Sequence, residues 1–335
     1  MAFRSLVRGG ALAALPVLAA LTVPALPAHA VGPSYVALGD SYSSGTGTRS
    51  YLSDGTTCQR STYAYPSLIA AARGYALNFR ACSGAKIPDV TASQLGALSA
   101  TTAYASISVG GNDAGFAAVL TECAQPGWMS SCNAAIDRAQ SYVTGTLPGA
   151  LGALYGSIRA KAPNAKVVVV GYPRIFNGED CNAATFFSPA EETRLNAMAD
   201  LLNSKTSAAA AAKGFSFANP TSRFVGHAVC ADVEWLNGFS NPVTESYHPN
   251  RLGHASGYTP TVSPVLTGST VTVTATTVRR ARAGADRLAA QQREYAALDA
   301  RIEPETVRAP DLTGARAHAA ARRAGIDLAR WLARH

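Results

Sequence analysis

The chain has 335 residues, 47% apolar and 15% charged, enough to build a real core in one large domain or two modest ones and too apolar for intrinsic disorder. The net charge of +8 is not spread evenly: Arg4 and Arg8 lie near the start, and residues 279–335 carry twelve Arg against seven acids, leaving residues 31–278 nearly neutral. That distribution excludes an electrostatic nucleic-acid binder, and no 20-residue window beyond the N-terminus is free of polar residues, which excludes a polytopic membrane protein.

Residues 1–30 combine a short basic start, the apolar run ALAALPVLAALTVPAL and the small-residue ending Ala28-His29-Ala30. This is the pattern of a secretory signal peptide cleaved after Ala30, so the mature protein is expected to be soluble and extracellular. Six cysteines agree with an oxidising compartment, and none form a Cys-x-x-Cys pair. Fifteen connectivities are open; the sequential pairing Cys58–Cys82, Cys123–Cys132 and Cys181–Cys230 is expected because short loops close most easily.

Short β-rich runs then alternate with helical stretches. Ser34–Leu38 reads as a strand stopped by Gly39, Leu77–Ala81 as a weaker one, and Ala105–Val109 as a strand ending at Gly110-Gly111. Leu147, Leu151, Leu154 and Ile158 share a helix face. Lys166–Val170 is apolar on both faces, as in a covered parallel sheet. Ser188-Pro189-Ala190-Glu191 predicts a capped helix closed by Gly214, followed by a weak strand at Phe215–Ala218. The alternation predicts a three-layer α/β/α sandwich over residues 31–265 with a mainly parallel sheet. Residues 266–278 read as a linker. Residues 279–335 read as a basic helical C-terminal extension, a docked or tethered hairpin, whose first helix repeats Ala281, Leu288, Tyr295 and Ile302 every seven residues.

In such sheets, sites gather beyond the carboxyl ends of the strands. Four segments fall there with chemistry in them. Gly39-Asp40-Ser41 follows the first strand, and Cys82-Ser83-Gly84 can offer a backbone N–H. Gly110-Gly111-Asn112-Asp113 supplies an amide, and Ser246-Tyr247-His248-Pro249-Asn250 an imidazole. A nucleophilic hydroxyl, a base of pKa near 6.5 and preorganised donors are what acyl transfer needs. Asp40 reads as a turn organiser. His227, His248 and His254 lack metal-like mutual spacing, so neither a metal nor an organic cofactor is implied.

The order Gly-Asp-Ser, Gly, Gly-x-Asn-Asp, His-Pro over residues 34–265 resembles the GDSL lipase/esterase family, the SGNH hydrolases, and most closely their secreted actinomycete (Streptomyces-type) lipases and phospholipases. The resemblance implies a flavodoxin-like sandwich, Ser41 as nucleophile and His248 as base. It also implies an oxyanion hole from the N–H groups of Ser41 and Gly84 with the Asn112 side chain, and it supports the sequential disulfides. The family often places Asp three residues before the catalytic His; here Glu245 stands there, so either Glu245 or a backbone carbonyl near Ser246 orients the imidazole.

The expected function is a secreted serine esterase or lipase acting on acylglycerols. The alternatives are a phospholipase A-type enzyme, a carbohydrate O-acetylesterase, and a catalytically silent secreted binding protein. An acyl groove is expected from Phe224, Val225, Val229, Trp235, Leu236 and Phe239, and activity is expected to rise through about pH 6–7. The protein is expected to be a monomer with an ester substrate and no nucleic-acid partner, the basic extension offering contact to a lipid interface or anionic surface.

Overall fold

Five apolar runs become five parallel strands: β1 (Ser34–Gly39), β2 (Ala76–Phe79), β3 (Tyr104–Ser108), β4 (Lys166–Val170) and β5 (Ser216–Ala218). They lie in the order β2-β1-β3-β4-β5, the doubly wound arrangement of flavodoxin-like sheets. The computed structural model describes residues 1–3, 5–6 and 32–334; the expected signal peptide, apart from five of its residues, lies outside the described residues. Register pairs Val36 with Asn78 on one side and Ala105 on the other, and Ala105 in turn with Val167. Val168, Val169 and Val170 are fully buried, which is why this strand has no polar face.

The helices Tyr65–Arg73 and Thr259–Thr267 pack together on the sheet, and Phe116–Cys123, Cys132–Gly145, Leu147–Lys161 and Pro189–Ala211 form a second layer. The capping box predicted at Ser188 is present: its hydroxyl accepts from Glu191 N, and the Glu191 carboxylate accepts from Ser188 N. The six cysteines form the three sequential pairs.

The helix Thr259–Thr267 runs through the expected domain boundary at residue 265, and Gly32–His335 is one compact unit. Beyond it come the short helices Ala275–Ala283, Ala285–Arg293 and Ala296–Asp299, then an irregular stretch, then Ala315–Ala324 and Leu328–Leu332. In place of the expected hairpin, short helices wrap the domain, because Gly284 and the turn at Glu294-Tyr295 interrupt the seven-residue repeat. Ala281, Leu288 and Ile302 of that repeat are buried, and Tyr295 lies under the Arg80 guanidinium at 4.0 Å. Farther on, Ala317, Ala321 and Leu328 pack against Trp128 and Met129.

Charge also ties the extension to the domain. Asp299 is fully buried and accepts from Arg60 Nη2 at 2.6 Å and from Arg80 Nη2 at 2.7 Å. Arg60 also meets Asp54 at 2.8 Å, so two guanidinium groups are matched by two carboxylates with almost no solvent contact. Removing one member of such a set leaves a buried charge uncompensated. Asp299→Asn is therefore expected to destabilise the protein by about 3–5 kcal/mol, while Asp200→Ala, which breaks an exposed pair with Arg174, costs less than about 1 kcal/mol. Denaturant titration of the two variants checks the contrast.

Candidate active site

β1 ends at Gly39, whose φ of 115° and tight approach to the Ser108 carbonyl leave no room for a side chain. Asp40 then caps the one-turn helix Ser41–Ser44, accepting from Tyr42 N, and the turn lifts Ser41 above the sheet edge between β1 and β3. This is the position at which strand order reverses, the usual ligand crevice of such sheets.

The imidazole arrives from the other end of the domain. Asn237 N donates to His248 O and Tyr247 N to Asn237 O, and Tyr247 itself adopts a φ of 60°, which turns the chain so that His248 faces Ser41. The Tyr42 hydroxyl donates to Tyr247 O at 2.7 Å and ties the two loops directly. His248 Nε2 lies 2.8 Å from Ser41 Oγ, and Nδ1 lies 2.8 Å from Ser246 O. A carbonyl can only accept, so Nδ1 carries the proton and Nε2 is left as the acceptor for the serine hydroxyl.

Glu245, the alternative orienter, does not reach the imidazole. Its carboxylate accepts from the Tyr51 hydroxyl at 2.5 Å and faces Arg49 at 3.4 Å, because the 3₁₀ turn Val243–Glu245 directs the side chain away. The imidazole beside Ser41 is thus oriented by a main-chain oxygen.

Ser41, Gly84 and Asn112 line one cavity with His248. Among the described residues the N–H groups of Ser41 and Gly84 have no acceptor, while Asn112 Nδ2 donates one hydrogen to Ala85 O and keeps the other free. Ser83 N donates to Cys58 O, so the Cys58–Cys82 bridge and this bond together set the Gly84 turn. Three donors can therefore converge where an ester oxygen would become negative.

Asp40 is almost completely buried and accepts from Ser108 Oγ at 2.6 Å and Tyr172 Oη at 2.5 Å as well as from Tyr42 N. Burial raises its pKa to about 6 against the pull of those bonds. It organises the turn, as expected. Tyr42 and Tyr172 escaped the sequence reading. Tyr172 comes two residues after β4, at the same carboxyl edge that gave the other donors, and that position was the available signal.

The remaining histidines lie elsewhere in the fold. His254 is buried with Nδ1 accepting from Tyr65 N, and His227 stacks on Trp235 at 3.8 Å. The expected acyl groove is also displaced. Phe224 packs edge-on to Trp235 and Tyr258, Val229 and Leu236 lie in the core and Val225 is exposed, so none of these side chains lines the cavity at Ser41. The apolar wall beside Ser41 comes instead from Phe116, Leu120, Ile175, Met198, Leu202 and Val307. Among the described residues, the cluster of potential metal ligands formed by Cys181, Cys230 and Glu234 has both sulfurs committed to a disulfide.

The sheet, its switch-point serine and the imidazole beside it define a hydrolase built on a flavodoxin-like sandwich. The model of the GDSL-like lipase/acylhydrolase family matches residues 37–256. Lipase 1 of Streptomyces coelicolor is 46% identical over 248 residues, covering 73% of this chain and 90% of that protein. The crystal structure of an extracellular lipase from Streptomyces rimosus aligns with a TM-score of 0.66 at 43% identity, covering 70% of this chain and all of the other. Phospholipase A1 from Streptomyces albidoflavus NA297 aligns at 0.65 and 42%, covering 70% of this chain and 99% of that one. The chain belongs to the GDSL-like lipase/acylhydrolase family. It is a carboxylic ester hydrolase of the lipase/esterase kind, which leaves no place for the silent binding protein.

Burial lowers the His248 pKa to about 4, with the Ser246 carbonyl opposing the shift. A base must be neutral to accept a proton, so with His248 as the proposed base activity is expected to persist to about pH 4 and to fall below it, lower than the range of about pH 6–7 expected of an ordinary imidazole. A rate–pH profile on a soluble ester checks this: the acid limb is expected near 4, with about a tenfold fall per pH unit beneath it.

Proposed function

We propose that Ser41 is the nucleophile and His248 the general base and acid of an acyl-enzyme ester hydrolysis. The observation that carries this reading is the 2.8 Å approach of Ser41 Oγ to an Nε2 whose ring is oriented by the Ser246 carbonyl. Oγ attacks the ester carbonyl while its proton passes to Nε2. The tetrahedral oxyanion lies among the N–H groups of Ser41 and Gly84 and the Asn112 amide, each worth about 2.7–4 kcal/mol in comparable sites. As the carbonyl re-forms, the ester C–O bond breaks and the imidazolium protonates the leaving alkoxide. Water then attacks the acyl-serine with the same imidazole as base, releasing the carboxylic acid and restoring Ser41.

The substrates in this reading are acylglycerols, with the acyl chain in the slot lined by Leu120, Ile175, Met198 and Leu202. Its support is the apolar lining together with relatives named as lipases. A second reading, hydrolysis of phospholipid acyl esters, is supported by the similarity to a phospholipase A1. The enzyme works as an exported monomer without cofactor. Support for export comes from the leader sequence, the three disulfides and the extracellular S. rimosus relative. Arg279, Arg280 and Arg282, exposed on one short helix, offer contact to an anionic lipid surface.

Ser41→Ala is expected to lower turnover on every ester by about 10⁶-fold, and Asn112→Ala by about 10²–10³-fold. A panel of triacylglycerol, phosphatidylcholine and acetylated xylan measures both effects and the head-group preference. A Ser41→Ala protein as active as the parent would overturn the assignment.

A further inference from the structure

The segment that closes the substrate slot belongs to the C-terminal extension. Glu305, Thr306 and Val307 line the cavity that holds Ser41 and His248, although the family match ends at residue 256 and the S. rimosus structure is covered completely by 70% of this chain. The approach is close. A Cβ on Gly84 would stand 2.3 Å from Glu303 O and 2.6 Å from Pro304 Cα, so the extension's backbone rests directly on the turn that offers the Gly84 N–H.

Both ends of this segment are anchored. On one side Ile302 is buried just beyond Asp299, which is held by Arg60 and Arg80. On the other, Arg308 N donates to Thr121 Oγ1 at 3.0 Å, and Arg316 pairs with Glu122 at 2.8 Å. Between them Glu305 meets Lys86 Nζ at 2.7 Å, and the Val307 side chain is buried in the main core together with Leu120. A segment tied to buried charge at one end and to a helix at the other behaves as a wall. The cavity it leaves beside Ser41 is narrow, with about 60 Å³ open to the centres of water-sized groups.

We propose that residues 303–307 of the extension are the specificity wall of this esterase, and that Val307 sets how long an acyl chain fits beside Ser41. The proposal rests on Ser41 as the site of acyl transfer. Shortening the side chain at 307 opens the slot and lengthening it fills the slot, whereas the four groups of the proposed chemistry are not altered. A single methylene in an apolar pocket changes discrimination by about 10–200-fold, so the effect falls within easy measurement.

The test uses the full-length chain, with Val307→Ala and Val307→Leu compared with the parent on p-nitrophenyl esters from C2 to C16. The readout is the ratio of kcat/KM for C8 to that for C4, with thermal unfolding recorded for each variant. Val307→Ala is expected to raise the ratio by about tenfold and Val307→Leu to lower it. The wall is refuted if both folded variants keep the parental ratio within twofold, or if all chain lengths change by one common factor, as they would under a cover that merely lifts. Failure of the Ser41 reading looks different: the parent's turnover would survive Ser41→Ala whatever the ratios show.

Discussion

Everything at this site depends on holding an imidazole against a hydroxyl 207 positions away in the chain. No sheet ladder joins the two loops. The link is made by side chains and turns: Asp40 caps the serine turn, Tyr42 donates across to Tyr247 O, and Tyr247 takes a left-handed backbone so that His248 can face inward. The cost of burying Asp40 is offset by three donors, Tyr42 N, Ser108 Oγ and Tyr172 Oη. A fully satisfied buried network of this kind has few alternative arrangements, so it defines the direction of Oγ as well as its place.

Replacing a carboxylate with a carbonyl as the partner of Nδ1 changes the electrostatics in a definite way. A neutral acceptor selects the tautomer but attracts the imidazolium less than a full negative charge would. Burial keeps the histidine neutral well into the acid range, with a pKa of about 4, and the Ser246 carbonyl opposes that shift only in part. In the proposed mechanism a ring of such low pKa readily gives its proton up to the leaving alkoxide. In that mechanism the developing charge is met mainly by the donors around the oxyanion, among them the N–H of Gly84, whose turn is pinned both by a disulfide and by the bond from Ser83 N to Cys58 O.

The C-terminal extension is bound to this chemistry through the core. Its Asp299 neutralises Arg60 and Arg80 inside the domain, and its Gln292 accepts from Arg80 Nη1. Arg60 and Asp54 belong to the same loop as Cys58, so a single cluster supports both the disulfide beside Gly84 and the chain that passes over it. The twelve arginines that made the extension look like a separate basic appendage include Arg316 and Arg293, which are bonded to Glu122 and to Ser53 O of the domain.

The strands, the capped helix at Ser188 and the switch-point location of Ser41 were legible in the residues, because apolar periodicity, caps and glycine stops are local signals that survive any packing. Ser41, Gly84, Asn112 and His248 could be picked out as a set because their order along the chain is distinctive. Local signals could not tell which carbonyl or carboxylate Nδ1 would meet, since Glu245 and Ser246 are neighbours and only the turn geometry separates them. Nor could they place the apolar side chains of 224–239: Phe224, Val229 and Leu236 are buried away from the cavity at Ser41, and Val225 is exposed. Least legible of all was the placement of Glu305, Thr306 and Val307 in the lining of the cavity at Ser41. The chain just before it is anchored by a carboxylate at 299 paired with two arginines more than two hundred residues earlier, a contact invisible to any pattern of neighbours.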